Sequence, residues 1–282
     1  MKPVPSASAA FGGLIVAMCS FQAGASIAKH LIPEIGAPGT TALRLGLSAL
    51  LVGLFRRAWR TPPTRSQLPA LLGYGLALGT MNFVFYLALR TIPLGIAVAL
   101  EFAGPLAVAL FSAGRRADLV WIALAAAGLV SLLPISTSGA ALDPMGVAFA
   151  LMAGVCWALY IVFGQKAGRA MGSAAATWGM IIAAIITVPI GVVDAGWALL
   201  TPSVLLMGLA IAIFSSALPY SLEMLALRRL SARVFGTLMS LEPAIAALTG
   251  LVVLHEALTL TQWLAIASVM AASAGMVSGG RQ

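Results

Sequence analysis

Apolar runs of about 20 residues follow one another from end to end of the chain. Short polar breaks such as IGAPGT (35–40) and TPPTRSQLP (61–69) separate them. A run of that length, wound at about 1.5 Å per residue, crosses the roughly 30 Å hydrocarbon core of a bilayer. Within lipid each crossing must satisfy its own backbone hydrogen bonds, so runs of this kind fold as helices. Hydropathy places ten spans near 10–29, 38–56, 67–90, 93–113, 118–134, 143–163, 173–192, 203–225, 233–253 and 260–278. Only 9% of the 282 residues are charged and 61% are hydrophobic. Soluble domains carry roughly 25% charged residues, so a water-facing surface is excluded. The expectation is an all-α polytopic membrane protein. The first run is long and is closely followed by a second, which favours an uncleaved first helix over a secretory signal.

The net charge of +8 does not point to nucleic acid, because the cations cluster in the short breaks. With the N-terminus inside, thirteen of the sixteen Lys and Arg fall on the cytoplasmic side: Lys2, Arg56, Arg57, Arg60, Arg65, Arg115, Arg116, Lys166, Arg169, Arg228, Arg229, Arg233 and Arg281. Lys29 and Arg90 face out, and Arg44 lies within a span. Cytoplasmic enrichment of this kind sets orientation and predicts that both termini are cytoplasmic.

The tetrapeptide LALR occurs at 87–90 and again at 225–228, an offset of 138. The same offset brings Gly104-Pro105 onto Glu242-Pro243 and PLAVAL (105–110) onto PAIAAL (243–248). Two segments in one register, each with a proline inside an apolar run, indicate an internal repeat. The repeats are 1–138 and 139–282, of five spans each. An odd number of spans inverts the second copy, and inverted repeats hold substrate near the bilayer midplane between the halves.

The stretch AVALEFAGPLAVAL (97–110) buries one carboxylate, Glu101, four residues ahead of a proline. Ionisable groups at such depth cost roughly 2.5–3.5 kcal/mol on insertion scales and mark function by default. Arg44, Glu101 and Glu242 lie roughly 9, 12 and 13 Å inside their nearer boundaries. Arg44 and Glu101 share a depth, so they either lock two helices as an ion pair or belong to a binding site. Glu223, close to Arg228 and Arg229, reads as an interfacial acid. Proline frees the carbonyl four residues before it: that of Glu101 for Pro105, of Met239 for Pro243 and of Ser215 for Pro219. Freed backbone at this depth is tolerated against protein or a wet cavity, and these prolines are expected beside the site. Gln22, Asn82 and Ser240 are further polar candidates. Trp157, Tyr160 and Tyr220 are candidate aromatic walls. The small-residue stretches AAAG (125–128) and AASAG (271–275) suggest close packing or a dimer face; the chain is a monomer or a homodimer.

Cys19 and Cys156 both lie in apolar runs, and His30 and His255 are far apart. No metal site, cofactor or disulfide is expected from them. Hydrolase and metalloprotease motifs such as H-E-x-x-H and G-x-S-x-G are missing from the sequence, so an enzyme is not expected.

The stretch SLEPAIAALTGLVVLHEALTLTQWLA (240–265) resembles the second-repeat signature of EamA-type transporters of the drug/metabolite transporter superfamily. Glu242-Pro243, Gly250, Glu256, Thr259 and Gln262 carry the likeness, while His255 and Ala265 stand where glycine is common. Residues 21–47, 92–112 and 217–244 are similar to an amino-acid-exporting branch of that family. The resemblance implies a ten-helix carrier of the bacterial inner membrane that expels small neutral amino acids, threonine and homoserine first, in exchange for protons. In that scheme Glu242 and Glu101 carry the proton, and Arg44, Gln22 and Asn82 read the amino acid. An exporter of another metabolite or drug, or a passive facilitator, would use the same residue types.

Overall fold

A computed structural model describes residues 7–111, 118–132, 142–172, 174–219, 222, 235 and 238–279. Among them the ordered structure is entirely helical. The helices are α1 (Ala7–Arg56), α2 (Leu68–Ala88), α3 (Leu94–Glu101), α4 (Ala103–Phe111), α5 (Asp118–Ser131), α6 (Pro144–Met171), α7 (Ala174–Ala195), α8 (Pro202–Ala212), α9 (Glu242–Val253) and α10 (Leu260–Gly279). A π-helical turn, Ile213–Ala217, continues α8. Four stretches are long and apolar enough to cross a membrane alone: Phe11–Arg56, Leu68–Ala88, Pro144–Met171 and Ala174–Leu200.

A straight α1 of 50 residues would be about 75 Å long, more than twice the hydrocarbon core. It is instead two arms broken at Gly36, whose φ of 70° and ψ of 168° are not helical. Glycine adopts positive φ without the Cβ penalty, and Pro38 follows it. Two hydrogen bonds show the arms running side by side. The Ser20 hydroxyl donates to the carbonyl of Phe214 at 2.6 Å, and Ser48 bonds Ser216 at 2.8 Å. Residues 20 and 48 would be roughly 42 Å apart on one straight helix, yet they meet neighbouring positions of the same turn. The first two spans are therefore distinct, as hydropathy expected, although no coil separates them.

The second half of the chain packs into the first. α1 lies against α7 and α8, α2 against α6 and α7, α5 against α10, and α3 against α9 and α6. At one end of the bundle Lys29, Leu94 and Glu256 come together, and Asp194 lies beside Gly36. At the other end Gln67 donates to the carbonyl of Ala170 at 2.9 Å and the Trp178 indole to that of Thr61 at 2.8 Å. Every residue of α3 is buried, which fits a helix that is apolar all round and runs through the centre. Phe55, Val193 and Trp197 are 86–90% exposed, an apolar outside that suits lipid rather than water.

The small-residue stretches of α5 and α10 pack on each other. Ala125 and Ala272 share a buried cluster with Leu106, and Gly128 lies against Ala265 and Ser268. Ala125, Gly128 and Ala272 thus serve close packing within the chain.

Candidate functional site

Glu101 is the last residue of α3, where the helix gives way to α4. Its place follows from packing on both sides. A Cβ on Gly95 would collide with the backbone of Ala247, so α3 and α9 touch backbone to backbone. A Cβ on Gly104 would collide with the carbonyl of Gly154, which brings α6 equally close. Small residues at crossings allow such approach. The chain thus carries Glu101 into the centre on a helix that neighbours can surround. The break at Pro105 is where sequence placed it, but the freed carbonyl of Glu101 is covered by Gly154. It faces α6.

Glu242 opens α9, with Pro243 in the first helical turn and Ser240–Leu241 forming a turn before it. Pro243 was expected to kink a continuous span over 233–253. It instead starts a helix, a position where its missing N–H costs nothing. Glu242 is 9% exposed and Glu101 8%. The Gln22 side-chain amide donates to Glu242 Oε1 at 3.4 Å, joining the first arm of α1 to α9. Glu101 lies within electrostatic reach of both Glu242 and Arg44. Two carboxylates and one guanidinium from three helices therefore share one buried region.

The ion pair between Arg44 and Glu101 does not form. Arg44 donates from Nη1 to the Tyr86 hydroxyl at 3.1 Å and sits over its ring, 5.6 Å from the centroid. Among the described residues the Arg44 Nε and the Gln22 Oε1, both buried, have no hydrogen-bond partner. Buried polar atoms in folded proteins are nearly always bonded, which makes these two candidates for contact with a substrate. Tyr86 escaped the sequence reading. It stands in FVFYLALR, the third aromatic of an apolar stretch, and only its burial beside Arg44 reveals a polar role.

Pro219 gives a second correction. The π-helical turn puts the Leu218 N–H on the carbonyl of Ile213, an i→i+5 bond. In that register the missing N–H of Pro219 frees Phe214 rather than Ser215, and Ser20 bonds that carbonyl. The Ser215 hydroxyl is buried without a partner among the described residues.

The other candidates are less central. The Asn82 amide donates to the carbonyl of Leu78 on its own helix at 2.8 Å. Ser240 donates to Ser273 at 2.8 Å, tying the turn before α9 to α10. Trp157 packs edge-on against Phe102, with centroids 5.6 Å apart, beside the break that ends α3. Tyr160 stacks on Tyr74 at 4.8 Å. Tyr220 and Glu223 lie outside the described residues. A cavity of about 580 Å³ lies at the Lys29 end, lined by Lys29, Gly36, Arg90 and Asp194 among others, away from the paired acids.

Fold and site together define a helical membrane protein whose buried charges are shared by both halves of its chain. Comparison with known proteins narrows that class. A profile of the EamA-like transporter family matches residues 144–278. The threonine/homoserine exporter RhtA of Escherichia coli (strain K12) is 55% identical over 93% of this chain and 89% of that protein. The exporter of the same name from Salmonella typhimurium (strain LT2) matches equally. The uncharacterized inner membrane transporter YedA of Escherichia coli (strain K12) is 27% identical over 84% of this chain and 79% of its own length. A known crystal structure shares the fold over 97% of both chains, with a TM-score of 0.62 at 19% identity. The chain belongs to the EamA-like transporter family, and its relatives are transporters rather than enzymes.

Proposed function

We propose that the chain exports threonine and homoserine across the bacterial inner membrane by alternating access, coupled to entry of protons. The observation that carries the substrate is 55% identity with threonine/homoserine exporters along 93% of the chain. The transporter of the inner membrane among the relatives supports the location.

The architecture in this reading is ten spans in two inverted repeats, 1–138 and 139–282, with both termini cytoplasmic. The pattern of helix contacts supports it. If each span is exchanged for the one five further on, α2 on α6 maps to the first arm of α1 on the π-turn that continues α8, where Ser20 bonds Phe214 and Gly24 meets Ser215. The contacts of α3 with α9 and of α5 with α10 map onto themselves. The end contacts agree with the alternation of spans, since Lys29, Leu94 and Glu256 fall on the side assigned to the outside.

An amino-acid zwitterion offers a carboxylate and an ammonium. Arg44 takes the carboxylate, as a planar fork suited to two-point binding. Glu242, with Gln22 beside it, takes either the ammonium or a proton, and Glu101 shares that role. Substrate and proton then compete for one carboxylate pair, which is the logic of antiport. A proton driven by 100 mV supplies roughly 2.3 kcal/mol, enough for an outward gradient of about 50-fold at one proton per substrate.

Inverted membrane vesicles with an imposed pH gradient test this. Labelled threonine should accumulate in wild type, with homoserine competing and phenylalanine not. Collapse of the gradient should abolish accumulation, and Glu242→Gln should remove it at normal protein level. Undiminished coupled uptake by Glu242→Gln would take the proton role from Glu242. Equilibration that ignores the gradient would make the protein a facilitator.

A further inference from the structure

Arg44 is held in an unusual way for a half-buried cation. Its nearest acid by depth, Glu101, is within electrostatic reach but makes no ion pair with it. The guanidinium is fixed by a neutral phenol, with Nη1 on the Tyr86 hydroxyl and the ring beneath the charge. Tyr86 is itself 0% exposed and packed in the main core cluster, so the hydroxyl cannot swing away. In a guanidinium the Nε and Nη2 hydrogens point along a common edge, away from Nη1. Tyr86 occupies the far corner and leaves that edge turned elsewhere, and Nε upon it is buried with no acceptor among the described residues. A donor edge of this geometry matches the two oxygens of a carboxylate.

We infer that Tyr86 is a positioning residue that turns the Nε edge of Arg44 toward the carboxylate of a bound amino acid. The assignment rests on the export reading above and on Arg44 as the carboxylate receptor. Its chemical content is separate, because a guanidinium free to rotate would still attract anions but would not present two donors in register. Pre-set donors do not spend affinity on ordering themselves. Tyr86 therefore acts on selectivity for the carboxylate rather than on the attraction of charge.

The test compares threonine with threonine amide, in which the carboxylate is a carboxamide, as competitors of labelled threonine in inverted vesicles. Wild type should prefer threonine at least tenfold. Tyr86→Phe, which keeps the ring and removes the hydroxyl, should raise the half-saturating threonine concentration about tenfold with the maximal rate within about twofold. It should also shrink the preference over the amide by a similar factor. Arg44→Lys should lose the preference as well, and adding Tyr86→Phe to it should change little further. An unshifted half-saturation in Tyr86→Phe overturns the assignment, as does an equal loss for threonine and its amide. If Tyr86→Phe does not accumulate in the membrane, Arg44→Lys decides: a retained preference overturns the assignment, since a lysine cannot hold Tyr86 and a carboxylate edge at once. Wild-type vesicles that take up no threonine refute the export reading and this assignment together. Threonine uptake without the expected shifts refutes the assignment alone.

Discussion

Removing Glu256 should open the end of the molecule that the charge distribution assigns to the outside. Its carboxylate joins three elements there. Oε1 meets Lys29 Nζ at 2.6 Å, and Oε2 accepts from the Leu94 N–H at 2.7 Å. Lys29 also donates to the carbonyl of Ile92 at 2.7 Å. The N-cap of α3 is Pro93, which supplies no side-chain acceptor, so Glu256 caps that helix from the far end of α9. Loss of a cap costs about 1 kcal/mol. The side chains of the ion pair are 22% and 14% exposed, and a pair of that kind contributes about 1 kcal/mol. Together they bias the closed arrangement by about 2 kcal/mol, or roughly 30-fold in population. Ser26, 1% exposed and one helical turn below Lys29, can report the opening. With Cys19 and Cys156 replaced by Ala, Ser26→Cys should react slowly with a membrane-impermeant maleimide added to intact cells. Glu256→Ala should speed that reaction about 30-fold, and Lys29→Met should give part of the effect. Equal labelling rates with and without Glu256 would refute the idea that these contacts hold this end shut.

Two further predictions concern stability. Ser20→Ala leaves the carbonyl of Phe214 without its bond, and an unsatisfied buried acceptor costs about 1–3 kcal/mol. The detergent-solubilised variant should melt several degrees lower, whereas an unchanged melting temperature would mean that the π-turn does not depend on Ser20. Asp143 caps α6 through the N–H groups of Met145 and Gly146 at 3.3 and 3.0 Å. The Thr91 hydroxyl, followed by these amides, holds its carboxyl below the ordinary 3.8. A depressed carboxyl contributes stability that is complete above the ordinary value and is lost as pH falls through the lowered one. Below pH 3.8 wild type should therefore lose melting temperature more steeply than Asp143→Asn, and parallel curves would refute the role.

The sequence showed that apolar runs recur along the chain and which charges lie inside them, because both follow from one-dimensional patterns of hydropathy and charge. Glu101 and Glu242 stood out for that reason, as carboxylates inside apolar runs. What stayed hidden depends on relations between distant residues. Tyr86 has no signal of its own until Arg44, 42 residues earlier, is placed beneath its hydroxyl. Lys29 read as an outward-facing cation and Glu256 as part of the family signature, and nothing joins them until the start of α3 is seen beside Glu256. Opposite charges at or just beyond the ends of the apolar runs expected at 10–29 and 233–253 were the available hint. The freed carbonyl of Pro219 was placed one residue off, since an α-helical register was assumed where the chain is π-helical. Gly36 breaks α1 without any coil, so the loop expected at 35–40 is a single torsional change.

The covered backbone has a consequence for recognition. Broken helices in carriers present carbonyls and helix ends to their substrates, and the prolines suggested the same here. Yet the carbonyl of Glu101 lies against Gly154 and that of Phe214 accepts from Ser20. Neither is left for a ligand in this arrangement. The buried groups still lacking partners among the described residues are the side-chain atoms Arg44 Nε, Gln22 Oε1 and Ser215 Oγ. In the proposed export reading recognition then falls on side chains: a cationic donor edge at Arg44, and an amide acceptor at Gln22 next to a carboxylate at Glu242. A ligand with both a carboxylate and an ammonium satisfies both places, while a simple amine or a simple acid leaves one of them empty. Leaving a buried polar group unpaired is the strongest discrimination such a site can apply. In that reading the breaks in the helices set where these side chains stand, and the side chains rather than bare carbonyls meet the substrate.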